Sequence, residues 1–272
     1  MNSVGELAIT LKREAASLPP TVGKILTEVA DRTAATMRRG VTGTIDTRYR
    51  EDVVRECSEV IQGRYPFTPT STIDVPLADF GRVFGYGGVF DTFFKNELER
   101  FVDTSRAPWT WRADAAGMSV GPSATMLRQF EAAQRIREMF FRPGGQDPEV
   151  RFRVTPTDLD VGATRFLLEI DGQSFENRHG PERSWQATWP GQSPGPAAAT
   201  FDSRAGGRPN IVAQGPWAFF RLIDGIRSER ETDARYVLTF SQGGHEARVT
   251  VEAASIRNPF GKDDLQQFRC GA

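Results

Sequence analysis

The side chains best able to do chemistry are few and widely spaced. The 272-residue chain has two histidines, His179 and His245, and two cysteines, Cys57 and Cys270. Neither histidine has a second His or Cys at i+3 or i+4, the spacing that builds a zinc site on one element, so no metal centre is expected. His179 sits in Arg178-His179-Gly180-Pro181 and reads as a turn residue. His245 follows Gly244 at the start of a strand and reads as exposed. Cys57 lies on an apolar helical stripe, which favours a structural thiol over a nucleophile paired with His179. No G-x-S-x-G nucleophile elbow is read in the sequence.

Three further groupings deserve weight. Asp158, Asp160 and Glu169 could supply a hydrolytic carboxylate pair, although they read as strand-end and solvent-face charges. Gly85-Tyr86-Gly87-Gly88 precedes a helix, where anions bind, but lacks the Lys-Ser/Thr of a phosphate loop and follows a helix instead of a strand. It reads as a tight turn. Trp185 and Trp189 could form a platform for a carbohydrate or for peptidoglycan, with core or interface anchoring as the plainer role. Catalytic, cofactor and metal residues are thus all expected to be absent.

Composition narrows the classes further. There are 34 basic and 35 acidic residues, divided 19 and 19 up to Asp147 and 15 and 16 beyond it. Neither half is a polycation, which argues against nucleic-acid binding by bulk charge. No run approaches the roughly 20 apolar residues that span a bilayer. Met1 to Glu6 does not read as a secretory signal. Cys57 and Cys270 form either one bridge in an oxidising compartment or two buried, reduced thiols.

The elements that would position these residues change character midway. Up to about residue 146 the apolar spacing is helical. A short helix ends at Pro19-Pro20, a second runs from about Thr21 towards Met37, and a third covers Arg48–Gln62, stopped by Gly63. A short helix over 76–84 leads through the glycines into a longer one over 89–102. A last helix starts at Gly121-Pro122 and ends at Pro143-Gly144-Gly145. Beyond Pro148 the period becomes two: Phe152 and Val154 alternate with Arg151 and Arg153. Asp171-Gly172 and Gly243-Gly244 are hairpin turns. Gly191 to Ala199 reads as a loop, and Gly215-Pro216 introduces one helix carrying Trp217, Phe220 and Ile223. The expected architecture is a helical domain, 1–146, followed by a β-sandwich-like domain, 147–272, with one inserted helix.

Several stretches, in order, resemble one family. They begin with Arg64-Tyr65-Pro66-Phe67 and the run from Pro76 through Gly85-Tyr86-Gly87-Gly88 to Phe94. They continue with Trp109-x-Trp111-Arg112, Ile170-Asp171-Gly172-Gln173, Arg178-His179-Gly180-Pro181 and Trp189-Pro190-Gly191. They close with Gly215-Pro216-Trp217-Ala218-Phe219-Phe220-Arg221-Leu222 and Ala254-Ser255-Ile256-Arg257-Asn258-Pro259-Phe260. This pattern is similar to the C-terminal periplasmic part of the IcmF/TssM proteins, inner-membrane scaffold subunits of type VI secretion systems. The resemblance implies a non-catalytic, periplasmic segment whose membrane anchor lies outside this sequence. It implies binding to a TssJ-type outer-membrane lipoprotein, mainly through the β-domain. It also implies assembly with further copies of the protein and a TssL-type inner-membrane subunit. No contact residue follows from the motifs, and the loops of the β-domain are the expected place for contacts.

Overall fold

The computed structural model describes residues 2–113, 121–193, 195–255, 257–261 and 263–271. Met1, Pro194 of the expected loop and Ile256 of the C-terminal motif lie outside the described residues. Helical elements come first and strands follow, as the change of period requires.

Two helices, α1 (Asn2–Ala15) and α2 (Pro20–Arg48), flank the Pro19-Pro20 break. The two helices expected after the break are in fact one rod. α2 passes through a π-helical turn at Tyr49–Val54 into α3 (Arg55–Ile61). Buried Ile45, Tyr49, Val53 and Cys57 recur every four residues. That repeat drifts around a 3.6-residue helix, and a wider turn takes up part of the drift. Gly40 and Gly43 lower helix propensity without ending the helix, because neither removes a hydrogen bond.

After α4 (Leu77–Phe84), the helix expected over 89–102 is shorter and less regular. α5 (Val89–Phe93) gives way to a π-helical turn at Phe94–Leu98 and a 3₁₀ turn at Glu99–Phe101. The two-residue strands β1 (Val102–Asp103) and β2 (Thr110–Trp111) then pair. The last long helix, α6 (Ala124–Phe140), starts later than Gly121-Pro122. Its cap is Ser123, whose Oγ accepts the Met126 N–H at 3.0 Å, satisfying a donor that the helix itself leaves open. Gly121 instead lies against the Trp111 indole, where no Cβ would fit.

The remaining elements are β3 (Val150–Leu159), β4 (Ala163–Ile170), β5 (Gln173–Asn177), β6 (Trp185–Trp189), β7 (Ala197–Ser203), β8 (Asn210–Ala213), α7 (Ala218–Asp224), β9 (Arg227–Arg230), β10 (Arg235–Gln242), β11 (His245–Ala253) and α8 (Asp263–Gln267). They make two antiparallel sheets, ordered β6-β3-β11-β10-β9 and β5-β4-β7-β8, with α7 as the inserted helix. Alternation sends Phe152, Val154, Leu238, Phe240, Val249 and Val251 inward from the first sheet. Phe166, Leu168, Ile170 and Phe201 face inward from the second, and the Phe166 and Phe240 rings meet between the sheets at 5.2 Å. Pro156 is tolerated inside β3 because it lies past the last β6 pair, Val154↔Trp185. It also sits beside a register shift at Arg248/Val249. The outer face of the five-stranded sheet carries cross-strand ion pairs, Arg153–Glu252 among them at 3.4 Å.

The compact units divide the chain differently from 1–146 and 147–272. One comprises residues 1–56, 93–131 and 270–272, and the other residues 57–92 and 132–269. The first centres on Tyr49, Phe93 and Phe130, with ring centroids 5.7 to 6.1 Å apart. The second takes α4 and the last part of α6 together with the sandwich. The reason is aromatic packing: Phe80 and Phe140 are edge-on to one another at 5.3 Å, and both rings contact Trp217.

Candidate functional site

The strand pairings sort the connections of the sandwich into two ends. At one end lie the β4–β5 turn Asp171-Gly172, the β6–β7 loop, and the chain from β8 through α7. At the other lie the turn 160–162, the loop 178–184, the turn 204–209 and the turn 243–244.

The first end is filled. Trp189 and Trp217 are fully buried and pack at 4.8 Å, with Phe140 and Phe220 around them. Trp217 Nε1 donates to the Val75 carbonyl at 2.7 Å. Arg221 donates to Asp74 and to the Ser71 carbonyl, and its guanidinium lies 4.0 Å from the Tyr65 ring centroid. Tyr65 in turn donates to Asp224 at 2.8 Å, and burial pushes its phenol well above the ordinary range. The Arg64–Phe67 and Gly215–Leu222 stretches are therefore two halves of one packing motif.

Asp171 is buried here, with φ of 47°, and accepts the Gly191 N–H at 3.1 Å and the Gly195 N–H at 3.2 Å. Burial raises its pKa, partly offset by those two donors. Gln173 adds two bonds to the Thr188 backbone. The expectation of no G-x-S-x-G pattern is corrected here: Gly191-Gln192-Ser193-Pro194-Gly195 has that spacing. It connects strand to strand instead of strand to helix, so the geometry that exposes a nucleophilic serine is missing. Its glycines serve Asp171, and Gly191 has no room for a Cβ beside the Asp171 carbonyl.

The glycine turn 85–88 is also closed. The Gly87 N–H donates to Asp91 Oδ2 at 2.8 Å, and Arg137 pairs with Asp91 Oδ1 at 2.8 Å with the carboxylate almost wholly buried. A carboxylate of the chain itself thus occupies the position an anion would take. A Cβ at Gly85 or Gly88 would meet backbone oxygens within 3.0 Å.

The second end is open. It gathers His179, His245 and Asp160, which the sequence leaves far apart. His245 is not exposed: its Nδ1 donates to Asp160 Oδ2 at 2.8 Å, its ring stacks on Phe201, and only 13% of its side chain is accessible. The Gly162 N–H donates to Asp160 Oδ1 at 3.1 Å. The His245 hydrogen bond, with help from Gly162, holds Asp160 below the usual carboxylate range. His179 Nε2 donates to the Ala163 carbonyl at 2.7 Å, and Arg204 Nε donates to the Val161 carbonyl at 2.7 Å. Three segments thus tie down the turn 160–163, and Val161 at its tip is 79% exposed. Pro209 lies so close to Gly243 that a Cβ there would sit 2.7 Å away, joining two more loops.

The other candidates stay apart. Asp158 faces Arg248 across the ladder, and Glu169 pairs with Ser174 and Ala198 in the other sheet. Trp185 is half-buried, whereas Trp189 is wholly buried and unable to present a flat face to a sugar, which corrects the platform reading. Among the described residues no three His, Cys, Asp or Glu side chains are grouped to hold a metal. No described helix is long and apolar enough to cross a membrane. Neither cysteine is a free thiol.

Residues 152–255 match the family model of the type VI secretion protein IcmF C2-like domain. The chain is 34% identical over 262 residues to the type VI secretion system component TssM1 of Pseudomonas aeruginosa, covering 95% of this chain and 24% of that protein. The chain therefore spans about a quarter of the length of the curated relative it matches. Its fold matches a chain of a type VI secretion system membrane core complex with a TM-score of 0.82 at 18% identity, covering 98% of this chain and 56% of that one. It also matches the TssM C-terminal domain (869–1107) from EAEC with a TM-score of 0.71 at 19% identity, covering 85% of this chain and 96% of that domain. The family model over the β-domain and the 34% identity across 95% of this chain show that it belongs to the IcmF (TssM) family, and it corresponds to the C-terminal region of that family.

Proposed function

We propose that the chain is a non-catalytic periplasmic scaffold segment of a type VI secretion membrane complex, and that it binds a TssJ-type outer-membrane lipoprotein mainly through its β-domain. The observation that carries this reading is the family match over 152–255, which falls within the two sheets and their loops. In support, two turns that could have taken a ligand are closed by the chain's own side chains: Asp91 accepts from the glycine turn and Asp171 accepts from the β6–β7 loop. Further copies of the protein and a TssL-type subunit complete the proposed assembly. The test is a binding titration of the purified chain against the soluble part of the cognate lipoprotein. A stable complex is expected, and no complex at high micromolar concentration would end the reading.

Within the same proposal, Cys57 and Cys270 form one intramolecular bridge, consistent with neither being free and with an oxidising compartment. Such a bridge closes about 210 residues and stabilises by about 5 kcal/mol in the chain-entropy account. Intact mass after alkylation without reductant is expected to show no added label. Two labelled thiols would rule the bridge out.

A further inference from the structure

We infer that the outward face of α2 is the seat of an amphipathic helix belonging to the polypeptide that precedes this region in the full-length protein. The inference rests on the family membership and is independent of the proposed lipoprotein binding. Nine large apolar side chains are exposed among the described residues. Six of them, Ile9, Leu18, Val22, Ile25, Val29 and Met37, belong to α1, α2 and the turn between them. Such a concentration marks an interaction surface, whereas scattered single side chains would need no explanation. At 3.6 residues per turn, Val22, Ile25 and Val29 fall within about 60° of one another on one stripe. α1 packs on a different face. Gly23 comes so close to the Ala15 carbonyl that a Cβ would sit 2.4 Å from it, and Ala30, seven residues on, is fully buried. The Glu28–Arg32 ion pair, at 2.6 Å, bounds the stripe on the side away from Gly23 and Ala30. α2 thus carries two apolar faces, one used by α1 and one open.

Energetics and tethering name the occupant. Among the residues of α1 and α2 whose burial is described, the buried apolar side chains are Ala15, Ala30 and Ile45. A contact made of glycine and alanine buries little area, and helices in proteins owe most of their stability to the packing of an apolar face. The open stripe is the remaining source of that stability for the hairpin. Its i, i+3, i+7 spacing fits a second helix that lays its own apolar stripe along it. TssM1 matches 95% of this chain with 24% of its own length, and the chain corresponds to the C-terminal region of the family, so family proteins carry a long polypeptide ahead of α1. A segment tethered at α1 meets the stripe at an effective concentration of roughly millimolar. A second copy has to reach the same stripe at its own, far lower, concentration. That difference selects the tethered segment.

The experiment compares two proteins, this 272-residue chain and the full-length protein that contains it, each as wild type and as Val22→Glu/Ile25→Glu/Val29→Glu. Hydroxyl-radical labelling followed by mass spectrometry reads the three side chains in the wild types. Labelling at least about fivefold weaker in the full-length protein is expected. In the short chain the triple variant is expected to melt within about 3 °C of the wild type, because the stripe is exposed there. In the full-length protein the same variant is expected to open the segment preceding α1 to limited proteolysis, with cleavage at least about fivefold faster than in the wild type. Equal labelling of the stripe in the two wild types overturns the inference, and so does proteolysis of the full-length protein that the variant leaves unchanged. A short chain that sediments as a dimer, and as a monomer once the triple variant is made, gives the stripe to a second copy and overturns it too. None of these outcomes touches the lipoprotein titration, so the proposed function stands or falls separately.

Discussion

The two ends of the sandwich start from the same material, tight turns between antiparallel strands, and end in opposite states. One end buries its largest side chains: Trp189, Trp217 and Phe220 pack against Phe140 from α6, and the carboxylate of Asp171 is enclosed with them. The other end leaves Val161 in water and spends its polar groups on holding the turn beneath it. Their carboxylates report the difference directly. Burial raises the pKa of Asp171, whereas the hydrogen bond from His245 lowers that of Asp160. A filled end contributes stability, and an ordered but uncovered end contributes a surface. The contrast teaches that rigidity in this domain has two sources, apolar packing at one end and a hydrogen-bonded latch at the other.

The strongest test of this contrast is Trp217→Ala. Removing a fully buried indole that also donates to Val75 is expected to cost about 3–5 kcal/mol in urea denaturation. A loss below about 1 kcal/mol would mean that the filled end is not the stabilising one. Next in size is Asp171→Ala, which leaves the Gly191 and Gly195 N–H groups without an acceptor and is expected to cost about 1–3 kcal/mol, with Asp171→Asn recovering part of it.

Acid titration sharpens the comparison further. Because the folded pKa of Asp171 is raised, the native state holds its proton more tightly than the unfolded chain. Its share of the stability therefore grows as pH falls from that raised value towards about 3.9. Asp160 acts in the opposite sense. Its folded pKa is depressed, so its contribution is present above about 3.9 and is lost as pH falls through the depressed value. Denaturation midpoints followed against pH in Asp171→Asn and Asp160→Asn are expected to change slope in opposite directions, and a common direction would break the contrast. The smallest expected effect is that of Val161→Asp on stability, within about 0.5 kcal/mol, because the side chain touches little. Thermal melting checks this, and a large loss would show that the tip is part of the core.

Much of the fold was legible because period and turn chemistry are local. The alternation in 150–154, the Asp171-Gly172 and Gly243-Gly244 hairpins and the α7 insertion all stand where the pattern places them. The helical part was less legible. A four-residue repeat does not say that Ile45, Tyr49 and Val53 share one unbroken rod, and a serine cap competes with the Gly-Pro pair two residues before it. The candidate site was barely legible. His179, Asp160 and His245 are separated by tens of residues and meet only because β3, β4, β5 and β11 bring their termini to one end. Trp189 was open to both a surface-platform and a core-anchor reading for the converse reason. Nothing local distinguishes a tryptophan at a strand end that faces water from one that a distant helix covers.

The sequence by itself determined the helical-then-strand order, the turns, the spacing around each histidine, and the resemblance to IcmF proteins. Only the tertiary structure decided which end of the sandwich is filled and which carboxylate is buried. It also decided that the chain's own Asp91 occupies the glycine turn. Periodicity and turn preference depend on neighbours within a few residues, whereas burial and hydrogen-bond satisfaction depend on segments that the chain brings together from far apart.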